Sequence, residues 1–204
     1  MKFFYKLLST LFSITLCIGL LSCQSELSSK PIAKAPPLSK PSTGALANDG
    51  HTATPRAPWA NPVIKNSETD AIYRQEWAKS DNKALCPILA LPKQASSHLA
   101  SHSVRRANFA GGWGVAYDLP NKRSAYGIAN AGTTNTNETF DNWPYNVNYQ
   151  DGSKVGYGHE GGDPSANWLA YLVIPNNNCF YNIWSAQSKA HLEQIILDLR
   201  IVSF

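Results

Sequence analysis

From Trp168 to Trp184 the chain is largely apolar, interrupted chiefly by asparagines. Leu169, Tyr171 and Val173 fall on one side of an extended backbone, and Ala170, Leu172 and Ile174 on the other. Both faces are apolar, which predicts a strand lying inside a sheet. Pro175 has no N–H to give a ladder, and Asn176, Asn177 and Asn178 tolerate turn geometry, so the strand stops and reverses there. Cys179 to Ser185 returns as its neighbour. Upstream, Phe109, Trp113, Val115 and Tyr117 hold alternate positions between Ala107 and Leu119, the pattern of a strand with one aromatic face. Pro120 to Arg123 reads as a turn, Ser124 to Ala131 as the second arm of a hairpin, and Lys154 to Glu160 as a further strand after the Asp151-Gly152 turn. The polar stretch Gly132 to Asn148 between them reads as a long loop carrying Phe140, Trp143 and Tyr145.

Two segments follow a helical period instead. Ala190, Leu192, Ile195, Ile196 and Leu199 form an apolar stripe on a helix opening near Ser185. Ser67-Glu68-Thr69-Asp70 has the form of a capping box, and Ile72, Tyr73 and Trp77 give a partly apolar face reaching about Ser80. The expected fold is therefore α+β: a single antiparallel sheet of about five strands with an N-terminal and a C-terminal helix packed on it.

The first 66 residues have no such pattern. Lys2 and Lys6 precede a nearly uncharged apolar run, Leu7 to Leu21, which is short for a membrane span and has the form of a secretory signal. Residues 24 to 66 hold seven of the thirteen prolines among Ser, Ala, Lys and Thr. Such a composition buries too little surface to offset the entropy of ordering, so it reads as a tether with a relaxed span on the order of 40 Å. At the junction, Leu20-Leu21-Ser22-Cys23 resembles the lipobox of bacterial lipoproteins. The resemblance implies that residues 1-22 are removed and that Cys23 is diacylated as the new N-terminus, holding the protein to a membrane. Gln24 and Ser25, where aspartate would retain a lipoprotein at the inner membrane, imply the outer membrane. The alternative is an ordinary secretory signal with a free Cys23. The chain thus divides into 1-22 (signal), 23-66 (lipidated tether) and 67-204 (globular domain).

Of the four cysteines, Cys17 would leave with the signal and Cys23 would carry lipid. Cys86 and Cys179 remain, and two thiols in an oxidising compartment are expected to form a disulfide, with two buried free thiols as the alternative. Charge excludes one class of partner. The formal net charge is +4, but residues 67-204 hold eleven Lys or Arg against twelve Asp or Glu, and a nearly neutral domain lacks the basic face that nucleic acid requires.

Candidate chemistry is sparse. His159, Glu160 and Asp163 end a strand beside Gly161 and Gly162, where an acid and a base would meet a substrate; a hydrogen-bonded loop is the alternative. His98 and His102 would share a helix face, as a two-histidine metal site requires, but no third ligand is nearby. No phosphate loop, nucleotide fingerprint or G-x-S-x-G elbow occurs, so neither a metal nor another cofactor is expected. Trp143, Tyr145, Tyr126 and Tyr157 lie among Asn residues. Aromatic faces cover apolar C–H groups while amides take hydroxyls, so these four are candidates for gripping a sugar or a peptide, with a place in the core as the alternative. The expectation is a membrane-anchored envelope protein, a non-catalytic binding or assembly module for an envelope protein or cell-wall glycan. An envelope hydrolase using His159, Glu160 and Asp163, and a purely structural accessory, are the alternatives.

Overall fold

A computed structural model describes residues 53–100, 103–109, 111–134 and 140–204. It corrects the expected five-stranded α+β arrangement. The described residues are mostly β, with ten strands in two sheets of seven and three, and two α-helices.

The strands are β1 (Ile64–Lys65), β2 (Leu89–Ala90), β3 (Ser103–Ala107), β4 (Trp113–Leu119), β5 (Lys122–Thr133), β6 (Tyr145–Asn148), β7 (Lys154–His159), β8 (Trp168–Ile174), β9 (Cys179–Ser185) and β10 (Arg200–Ser203). The larger sheet is antiparallel throughout in the order β3-β4-β5-β9-β8-β7-β6. In the smaller one, β10 pairs parallel with β1 and antiparallel with β2. The sheet outgrew the expectation because β6 forms inside the segment read as a loop, and β3 adds the opposite edge. Four further corrections are local. Helix α1 (Ala71–Trp77) is capped by Asp70, whose Oδ1 accepts from the Ile72 amide, while Ser67 and Glu68 lie in a preceding 3-10 turn. Helix α2 (Lys189–Asp198) starts after Ser188, whose side chain accepts from the His191 amide. β5 runs further in both directions than Ser124 to Ala131. Arg200, just past the helical stripe, turns into β10.

Register divides the large sheet into two faces. Val115, Tyr117, Tyr126, Ile128, Val155, Tyr157, Ala170, Leu172, Tyr181 and Ile183 point to one side and are buried. Both helices lie on this side. Tyr73 of α1 shares a 2.9 Å hydroxyl contact with Tyr117, and Leu192, Ile195 and Ile196 of α2 join the same core. Burial pushes the hydroxyls of Tyr73 and Tyr117 well above their ordinary pKa.

Packing also reaches upstream of Ser67. Trp59 is fully buried, its ring 4.9 Å from Tyr149 and its indole N–H donating to Asp151 Oδ2 at 3.3 Å. Gln150 holds the chain before it, donating from its backbone N–H to Pro55 O and from Nε2 to Thr54 O. Ile64 is buried in β1 against Val202. The ordered body therefore starts well before residue 67; the rest of the expected tether and Cys23 lie outside the described residues. Cys86 and Cys179 form a disulfide across a sequence separation of 93, tying the segment before β2 to the start of β9. Among the described residues no helix is long and apolar enough to cross a membrane.

Candidate ligand-binding face

The residues singled out in the sequence are distributed rather than gathered. His159 ends β7 with its ring 4.0 Å from Trp168 and its Nδ1 donating to Ala166 O at 3.1 Å. Asp163 accepts from both the amide and the hydroxyl of Ser165, at 2.9 and 2.8 Å, and those bonds hold its carboxyl below the usual range. Glu160 opens an exposed 3-10 turn. Two of these three side chains thus serve the loop's own hydrogen bonds. His98 is likewise engaged, donating from Nε2 to Pro92 O at 2.9 Å, with Nδ1 3.4 Å from the Tyr126 hydroxyl; His102 lies outside the described residues. No three His, Cys, Asp or Glu side chains converge among the described residues.

The four aromatic candidates part company too. Tyr126 and Tyr157 are fully buried, Tyr126 stacked on Tyr117 and Tyr157 donating to Glu193 Oε1 at 2.7 Å. Burial, with the Glu193 carboxylate behind it, raises the Tyr157 pKa. Tyr145 packs on Tyr157 with the Lys189 ammonium 4.2 Å from its ring, on the helix side of the sheet. Trp143 alone lies on the other side.

That other side is where the structure concentrates aromatic surface. Trp143 sits 5.0 Å from Tyr171, which sits 5.0 Å from Phe180, and Phe140 flanks Trp143 at 6.4 Å. Further along β9, Trp184 stacks with Phe109 at 6.3 Å. Phe140 is buried, whereas Phe109, Trp143, Tyr171, Phe180 and Trp184 are each half-buried. The strands provide the floor through missing side chains. A Cβ on Gly127 would lie 2.3 Å from the Trp184 ring, one on Gly156 2.6 Å from Phe140, and one on Gly158 3.0 Å from Pro144. The rings can lie flat on the backbone only because these positions are glycine.

Amides border the rings. Asn182 occupies β9 between Phe180 and Trp184, and Asn146 and Asn148 point to the same side from the edge strand β6. Phe140, Asp141, Asn146, Asn148, Lys154 and Val155 enclose a cleft of about 70 Å³ at that edge. No protein family, curated protein or solved structure matches this chain. Its chemistry must therefore be read from the face itself. Half-buried rings backed by a rigid sheet offer flat apolar contact without much ordering cost, and the amides supply directional donors and acceptors.

Most of this set was missed in the sequence because Tyr171, Phe180 and Trp184 read equally well as core. The signal lay in the glycines: Gly156 and Gly158, two apart on one strand, leave one face bare where a ring must lie. Gly156→Ala is expected to destabilise the domain by about 1–3 kcal/mol, since the new methyl meets the stem of Phe140 rather than a movable tip. Urea unfolding checks this, and a shift in tryptophan emission should accompany it as Trp143 is displaced.

Proposed function

We propose that this chain is a lipid-anchored protein of the bacterial cell envelope that binds glycan on the open face of its seven-stranded sheet, without catalysis. The anchor rests on the lipobox-like Leu20-Leu21-Ser22-Cys23 and the Pro-rich segment that follows. The binding reading rests on one observation: the row Trp143–Tyr171–Phe180, half-buried over a glycine floor with Asn side chains beside it. Sugar rings present C–H faces and hydroxyl edges, which are the groups that row and those amides complement. A nearly neutral domain also suits a ligand recognised by shape and hydrogen bonds more than by charge.

The test is retention of the purified full-length protein on isolated cell-wall sacculi and its affinity for soluble wall fragments. Trp143→Ala and Tyr171→Ala should each weaken binding about tenfold, the effect of losing one aromatic anchor from a small interface. Thermal unfolding confirms that the variants are folded. Failure of the wild type to bind any wall glycan would end this reading. Capture of one envelope protein in its place, lost on Trp143→Ala, would reassign the face to a protein partner.

A further inference from the structure

A second cleft lies away from the aromatic row, on the helix side of the large sheet. It has a volume of about 130 Å³, is walled by Asp70, Leu91, Lys93, His98, Val104 and Tyr117, and meets solvent beside the exposed Lys93. The backbone brings these side chains together. Thr69 pairs with Pro92 in an antiparallel bridge, and the Lys93 amide donates to Glu68 O at 2.8 Å. Asp70 therefore stands opposite Leu91, and Lys93 is its diagonal neighbour on the same side of the pair. Val104 and Tyr117 are partners across β3 and β4, and the His98 ring lies 5.2 Å from the Tyr117 ring.

Two opposite charges thus face one cleft without neutralising each other. Among the described residues Asp70 and Lys93 form no ion pair, and Glu68 turns its carboxylate to the Lys65 amide at 2.8 Å. Each is held by a single bond that leaves capacity over. Asp70 commits Oδ1 to the Ile72 amide at 3.0 Å, and Lys93 gives one of its three ammonium protons to Ser67 O at 3.0 Å. Burial raises the hydroxyl pKa of Tyr73 and Tyr117, and the Asp70 charge adds to it, which places that charge over the same floor. An anion drawn to Lys93 would meet Asp70, and a cation drawn to Asp70 would meet Lys93. A molecule carrying both charges gains from each. Size narrows the choice further. A cavity of roughly 150 Å³ accepts benzene, so this cleft has room for about six non-hydrogen atoms, too few for a hexose. Leu91 and Val104 add apolar wall for a short aliphatic group. We infer that the cleft binds a small zwitterionic α-amino acid of about the size of alanine, with Asp70 taking its ammonium and Lys93 its carboxylate.

The experiment titrates the full-length protein with D- and L-alanine, and with propionate and ethylamine, which each keep one of the two charges. Backbone amide NMR signals report where each probe binds. One alanine enantiomer or both should shift Leu91 and Val104 while Tyr171 and Phe180 stay in place, with an affinity about tenfold or more above that for either single-charge analogue. Asp70→Asn, which preserves a side-chain cap for α1, and Lys93→Gln should each weaken alanine binding by about tenfold or more. Thermal unfolding checks that both variants are folded, and the wild-type comparison stands where one is not. Failure of both enantiomers to shift those signals overturns the inference. So does propionate or ethylamine binding as tightly as alanine, or an alanine affinity that survives both substitutions. Retention on sacculi is a separate measurement, so none of these outcomes touches the glycan reading.

Discussion

Replacing Cys86 and Cys179 together by alanine is expected to cost about 4–5 kcal/mol of stability, the chain-entropy value for a loop of this length. The bridge spans 93 positions, so without it the unfolded chain regains a large loop that is otherwise held closed. Both residues are buried, Cys86 just ahead of β2 and Cys179 at the head of β9. Loss of the bridge therefore also loosens the join between the core segment around Ile88 and the middle of the large sheet. Natural domains have about 5–15 kcal/mol in hand, so most of the margin would go. Urea unfolding of the double variant against the oxidised wild type should show a midpoint lower by about 2 M, taking a typical urea slope. Reduced wild type should behave like the variant. An unchanged midpoint in both would mean that the two positions meet without holding anything.

The second large effect is expected at Trp59. Trp59→Ala removes a fully buried indole together with its contacts to Tyr149 and Asp151, and truncations of this kind cost about 3–5 kcal/mol. The loss should be local first. Residues 54 to 65 are fastened at few points: the two Gln150 bonds, the Trp59 pocket and the two-residue strand β1. Limited trypsin digestion should consequently cut at the exposed Arg56 and Lys65 of the variant under conditions that spare the wild type. If those sites resist equally in both proteins, the segment is held by something other than the indole.

The prolines around Trp59 show why this packing was not legible in the sequence. Averaged over forty residues, composition reports weak burial, and a single tryptophan with one isoleucine cannot change the average even though the two fix the segment in place. The central strand was legible because seven consecutive residues share one requirement: Trp168 to Ile174 is apolar on both sides, and β8 has a hydrogen-bonded neighbour on each edge. β6 was legible in principle, since Tyr145 and Val147 alternate with Asn146 and Asn148, but four residues among Asn and Pro resemble a loop as much as a strand. β1 and β2, at two residues each, have no period at all; tertiary pairing alone makes them strands. The open face was hidden for another reason. A strand apolar on both sides looks the same in sequence whether its second side lies under a helix or under a layer of rings, and only the fold shows that both helices chose the same side.

The pairing of β1 with β10 has a consequence for how the protein can be made. Ile64 finds its partner only at Val202, and β10 is also what holds β2. A polypeptide that emerges N-terminus first must then wait with its early segment unclasped until the far end is out, so this closure is a late step of folding, and any factor that shields the incomplete chain has to remain on it until residue 200 is free.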